Sequence, residues 1–209
     1  MTHNDSILIE SQPFPLIIWI KYLFFKKHII LLSCENYHKM TFRNRFVLSG
    51  SNGLIHLSVP LIHGRDQKIP FEDVQVCYRE KWQLIHWRTI TSCYNKSPWF
   101  EYYRDELEKL FINRWEFLFD WNLVLMSWLK EILQFPAEII VTAQLPEAGI
   151  EDACNKWLPK NFQQADLGFQ YQQVFEERTG FQNNLSILDL LFNTGPETRN
   201  LLIKSSHDK

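Results

Sequence analysis

The chain opens on a short apolar run, Ile7-Leu8-Ile9 within Ser6–Glu10, whose length predicts a buried strand. Gln12-Pro13-Phe14-Pro15 follows, and its two prolines impose an extended turn. Leu16 to Phe25 then suits a helix, with Pro15 near its first turn and Lys26-Lys27 at its end, where cations complement the helix dipole. Ile29 to Leu32 is a second run of strand length. Strand, turn, helix and strand in this order resemble the opening of an α/β sheet.

Farther on, Phe42 to Ser49 and Leu54 to Leu61 flank Gly50-Ser51-Asn52-Gly53, which predicts a β-hairpin. An Asn52-Gly53 turn and a four-residue loop place the same residues on the same face, because the two registers differ by two. Asn44, Phe46, Leu48, Ile55, Leu57 and Val59 form the core face; Arg43, Arg45, Val47, His56 and Ser58 form the polar one. Val74 to Cys77 predicts another strand. From Glu80 to Phe135 the spacing turns helical, with a break at Ser97-Pro98. Trp82, Ile85 and Thr89 mark the first helix; Leu107, Leu110, Phe111, Trp115, Leu118 and Phe119 mark the second. Leu125, Trp128, Leu129 and Ile132 carry the pattern to Phe135-Pro136. Glu138 to Thr142 is a β-branched run, the polar stretch 146–170 holds a helix around Glu151 to Trp157, and Gly180 to Ile203 supplies a last helix. With neither repeat nor linker, residues 1–209 read as one α/β domain. Its mixed sheet begins with the strand-turn-helix-strand unit, followed by a hairpin at about 42–61 and a helical region at about 80–135.

Composition narrows the function. Hydrophobic residues are 45% of the chain, enough for a sizeable core and too many for a disordered one. A formal net charge of −2 gives no footprint for nucleic acid. The most apolar stretch, Leu16 to Leu32, is interrupted by Lys21, Lys26, Lys27 and His28, so no stable membrane insertion is expected. The N-terminus has no basic region ahead of an apolar one, and the four cysteines have no metal-site spacing. A cytoplasmic protein with reduced thiols and no metal is the expectation. The aromatic fraction, 15%, leaves rings over for a pocket or an interface.

No nucleotide-loop, nucleophile-elbow or zinc motif is present, and three weaker constellations remain. Arg43 and Arg45 share one face of the hairpin and suit a two-point clamp on a carboxylate or phosphate, or else a solvated basic face. His86 shares a helical stripe with Trp82, Ile90 and Cys93. It is either an acid–base group in a cleft or a core histidine bonded to backbone. Ser186, Asp189 and Asn193 make one polar stripe on an otherwise apolar helix. That stripe is either part of a site or a capping arrangement, with Ser186 as N-cap and Gly195-Pro196 as the stop.

Gln12-Pro13-x-Pro15, Phe42-Arg43-Asn44-Arg45, Leu57-Ser58-Val59-Pro60, His86-Trp87 and the Leu185–Pro196 block together resemble the signature blocks of the WbqC-like protein family. The resemblance implies a transferase acting on sugar or amino groups in bacterial surface-polysaccharide (O-antigen) biosynthesis. Many members resemble His-Gln-Pro-x-Tyr-x-Pro-Trp where this chain has Ser11-Gln12-Pro13-Phe14-Pro15-Leu16, so a reaction that uses that histidine is changed or lost here. The site is expected where the first strand ends, with an anionic group on the N-terminus of the following helix. His86 and Asp189 are expected as catalytic residues, with Gln12, Arg43, Arg45, Ser186 and Asn193 binding an anionic or nucleotide-linked small molecule. No cofactor is indicated. The competing reading is a non-catalytic binding or assembly protein with Trp99, Phe100, Tyr102 and Tyr103 as interface anchors.

Overall fold

In the computed structural model, which describes residues 5–145 and 149–204, the N-terminal unit forms as its pattern predicts. Ser6–Leu8 is β1, Ile17–Leu23 is α1 and His28–Leu32 is β2. β1 and β2 are parallel, with Ile7 opposite Ile29 and Leu8 opposite Ile30, so α1 is a crossover helix. The hairpin consists of β3 (Arg45–Gly50) and β4 (Gly53–Ser58), a two-stranded sheet of its own. Ser49 pairs with Leu54 and Gly50 with Gly53, leaving Ser51-Asn52 at the tip. Gly53 takes φ 110°, a conformation that suits glycine alone.

Three longer helices follow: α2 (Trp82–Tyr94), α3 (Phe100–Ile112) and α4 (Leu118–Leu133). The expected break at Ser97-Pro98 separates α2 from α3. A second break, at 113–117, was not legible in the pattern. There the Tyr78 hydroxyl accepts from the Trp115 amide (2.8 Å) and donates to the Trp115 carbonyl (3.0 Å), taking that backbone out of helical bonding. On α2 the buried stripe is Trp82, His86, Ile90, Cys93 and Tyr94, while Ile85 is 53% exposed; the face marked by Ile85 is corrected accordingly. Val74 to Cys77 joins no sheet and makes single bridges, Leu61 with Val76 and Gln75 with Phe117.

β5 (Glu138–Thr142) lies parallel beside β2, and β6 (Glu151–Asp152) lies parallel beside β1. The helix expected around Glu151 to Trp157 is therefore replaced by a strand. Its backbone continues the β1 ladder, Ala153 N–H donating to the Leu8 carbonyl (2.9 Å), and Asn155 then turns the chain at φ 59°. Parallel and antiparallel pairing thus occur in two separate sheets. The larger has the order β5-β2-β1-β6, so the chain proceeds outward on one side of β1 and returns on the other. That reversal between β1 and β6 is the kind of place where α/β sheets hold ligands, outside the carboxyl ends of the strands.

The last segment is α5 (Glu176–Thr179), α6 (Ile187–Thr194) and α7 (Glu197–Lys204). The single helix expected over Gly180 to Ile203 is split, because Gly195 at φ 53° ends α6 ahead of Pro196. One core cluster runs through all these elements. Near its centre is Phe14, itself at φ 45°, with Phe46, Phe111, Trp121 and Trp128 at centroid distances of 5.1, 5.7, 6.0 and 6.4 Å. A left-handed non-glycine residue costs about 1–2 kcal/mol. Burying this ring offsets that by about 2–3 kcal/mol from transfer alone. The first four residues, and Pro146 in the polar stretch, lie outside the described residues.

Candidate functional site

The carboxyl ends of β1, β2 and β6 converge on a buried polar network. Glu10 follows β1, Glu35 follows β2 and Asn155 follows β6. Arg43, just before β3, joins them: its Nε and one terminal nitrogen donate to the two oxygens of Glu35 (2.9 and 2.7 Å). The other terminal nitrogen donates to Asn155 Oδ1 (2.6 Å). Glu10 accepts from the Asn155 amide (2.9 Å) and from Gln12 Nε2 (2.8 Å). Burial pushes the Glu10 carboxyl up, against the opposing pull of Arg43 and its hydrogen-bond donors. A planar guanidinium paired with a carboxylate through two parallel bonds is the geometry that best repays burying both charges.

Above this floor is a cleft of about 390 Å³. It is lined by Thr41 and Asn155, by the apolar Met40, Leu158 and Pro159, and by His38, Lys39 and Lys160. Thr41 is tied to the floor, its hydroxyl oxygen accepting from the Arg43 amide (3.4 Å). His38, Lys39 and Lys160 are exposed, and Lys39 pairs with Asp66 (2.9 Å) across an exposed contact of small energetic weight. Asn122 stiffens the same region, its Nδ2 donating to the Arg43 carbonyl (3.0 Å) and to Ser11 Oγ (3.3 Å). Its Oδ1 is buried without a partner. Ser11, where the family resemblance expects histidine, is therefore a buried member of this framework and faces Asn122.

The structure divides the expected site residues among three places. Gln12 and Arg43 belong to the floor just described. Arg43 is a correction: it is fully buried rather than on an open hairpin face, because Glu35 and Asn155 neutralise and bond it. Arg45 is half-buried near Tyr37 and Arg65 with its Nε unpartnered, and because Arg43 gives its donors to Glu35 and Asn155 the two arginines do not form one clamp.

His86 occupies a second place. It is 4% exposed, edge-on to Phe46 (5.7 Å) and Trp82 (5.1 Å), with Ser58 backbone as its contact. Burial pulls its imidazole down to about 4, so it is neutral at physiological pH. A solvent-reachable cleft was expected there; the aromatic lining is present and the opening is not.

Ser186, Asp189 and Asn193 form the third group. Ser186 is the N-cap of α6: its oxygen accepts from the Leu188 amide (3.3 Å) and its hydroxyl donates to the Phe14 carbonyl (2.9 Å). Asp189 is fully buried and meets no basic side chain. Instead, Tyr94 and Tyr171 hydroxyls (both 2.7 Å) and Gln173 Nε2 (3.0 Å) donate to it. Burial raises its carboxyl to about 6, with these three donors opposing. Tyr94 is two helical turns beyond His86 on α2, about 12 Å at 1.5 Å per residue, so His86 and Asp189 do not act on a common atom. Asn193 Nδ2 donates to the Asp189 carbonyl (2.7 Å).

The N-terminus of α1 is also occupied by the protein itself. The Ile18 amide donates to Asn184 Oδ1 (2.9 Å) and the Ile17 amide to the Leu185 carbonyl (2.9 Å). The anion expected at that helix end therefore has no place, a second correction.

Glu10, Glu35, His38, Lys39, Asn155 and Lys160 were not singled out from the sequence. A signal existed for Glu10, which follows directly on the apolar run Ile7–Ile9, and a weaker one for Glu35, His38 and Lys39, which lie in the loop that follows Ile29–Leu32. Asn155 and Lys160 had none, because β6 has only two residues.

Fold and crevice together define an α/β protein with a largely apolar crevice, rimmed by His38, Lys39 and Lys160, over a buried polar network at the carboxyl edge of a short parallel sheet. The chain belongs to the WbqC-like protein family, whose model matches residues 11–160 and 155–201. No curated protein and no solved structure matches it.

Proposed function

We propose that this protein is a transferase of bacterial surface-polysaccharide biosynthesis, acting in the cytoplasm on an anionic, nucleotide-linked sugar in the cleft over Asn155. The observation that carries this reading is the convergence of Glu10, Arg43, Glu35 and Asn155 at the carboxyl ends of three adjacent parallel strands, directly beneath that cleft. Lys39 and Lys160 meet the phosphates. His38 takes the proton from the acceptor hydroxyl or amine as its oxygen or nitrogen attacks the transferred carbon. The bond from that carbon to the phosphate oxygen breaks, and the charge left on the phosphate is balanced by the two lysines. Glu10, Gln12, Arg43 and Glu35 position Asn155 and Thr41, which touch the substrate. His86, Ser186 and Asp189 hold the surrounding fold, since they are buried away from the cleft.

Untargeted mass spectrometry of small molecules retained by the purified protein tests this. Retention of nucleotide-linked sugars, abolished by Lys39→Glu with Lys160→Glu, is expected. Retention of no anionic metabolite would overturn the reading. It would favour the binding or assembly protein, for which the observation is Tyr102, 72% exposed and edge-on to Trp99 at 6.1 Å.

A further inference from the structure

A larger cleft, of about 1070 Å³, opens between the α2–α3 turn, the segment 170–177 and the end of α6. Its volume is at the top of the ~300–1,000 Å³ range of small-ligand sites, with room for more than one ring. Its floor is built. Tyr171 and Gln173 line it, both nearly buried, and both are held from behind by Asp189. Gln173 is fixed further: its Oε1 accepts from the Gln182 amide (2.8 Å), its Nε2 donates to the Gln182 carbonyl (2.9 Å), and its own amide donates to Glu176 (3.1 Å). A floor locked in this way loses little freedom when a ligand arrives.

The rim has a different chemistry. Gln170 and Gln172 are exposed, and among the described residues their side chains make no hydrogen bond. Asn193 spends its Nδ2 on Asp189 and keeps its carbonyl oxygen. Glu176 and Glu177 outnumber the single lysine on the lining, Lys96, so a phosphate would meet net repulsion. Amides that both donate and accept, beside carboxylates that accept, complement vicinal hydroxyls, each of which is donor and acceptor at once. Tyr171, Pro98 and Val174 supply apolar surface for ring carbons.

We propose that this cleft is a second binding site, taking an uncharged or amino-bearing sugar chain. The inference does not depend on the transferase reading, because it rests on other residues and another cleft. The test is saturation-transfer NMR on the full chain with cellotriose, chitotriose and de-acetylated chitotriose as probes. Saturation should reach the ring protons of at least one trimer. It should fall at least fivefold in a Gln172→Ala, Glu177→Ala variant of unchanged melting temperature, and persist in Lys160→Ala. Transfer to none of the three, or transfer undiminished in the double variant, would overturn the proposal.

Discussion

Asp189 shows most plainly what a single side chain does here. It is an acid with three donors and no cation, buried where two tyrosines and a glutamine point inward. Asp189→Ala leaves the buried Tyr94 and Tyr171 hydroxyls without their acceptor, removes one of those of Gln173 Nε2, and should cost about 3–5 kcal/mol in urea unfolding. The pH dependence has a definite sign. The folded carboxyl titrates at about 6, above its ordinary 3.8, so the native state holds the proton more tightly than the unfolded chain. Its contribution to stability is complete below about pH 4 and is lost as pH rises to about 6. The stability difference between the protein and Asp189→Asn should therefore shrink from pH 4 to 6 and then level off. A difference constant over that range would contradict the assignment. Arg43 makes the complementary case: Arg43→Ala strands Glu35 beside Glu10 in the interior and should cost about 3–5 kcal/mol, measured the same way.

At the scale of elements, glycines mark where the backbone had no alternative. Gly195 ends α6 at φ 53°, and a methyl group there would run into the Trp99 ring. Gly195→Ala should lower stability by more than about 1 kcal/mol, because φ 53° with ψ −127° is a conformation open essentially to glycine alone and the added methyl meets the Trp99 ring. A loss under 1 kcal/mol would mean that Trp99 moves aside freely. The elements themselves were legible where their period was long or their turn distinctive: β1, α1, β2, the hairpin and the helices from Trp82 to Leu133 follow from spacing and from Gly50–Gly53. β6 was not, because two residues carry no period and its pairing is set by Leu8 across the sheet. The break at 113–117 was hidden for a related reason, since it depends on the distant Tyr78 hydroxyl. The candidate site was legible only in part. Gln12 and Arg43 could be found from the strand end and the basic pair. Arg43's partners Asn155 and Glu35 are brought to it by the pairing of β6 and β2 on either side of β1.

The whole molecule is a short parallel sheet whose carboxyl edge is roofed by the 38–43 segment and the 155–160 segment. The signature blocks brace this arrangement from behind. The Ser186 hydroxyl donates to Phe14, the Ser186 amide to Val47, and Asn44 to Val59, so residues far apart in sequence fix one another beneath the crevice. Among the described residues no helix is long and apolar enough to cross a membrane. The central claim is that ligands enter at the sheet's carboxyl edge, and backbone NMR shift mapping tests it most directly. With UDP-, dTDP-, GDP- and CDP-linked sugars titrated in turn, at least one should shift amides of His38–Thr41 and Asn155–Lys160 together, and Lys39→Ala with Lys160→Ala should weaken that binding at least tenfold. Shifts confined to other parts of the surface, or none with any of the four, would contradict it.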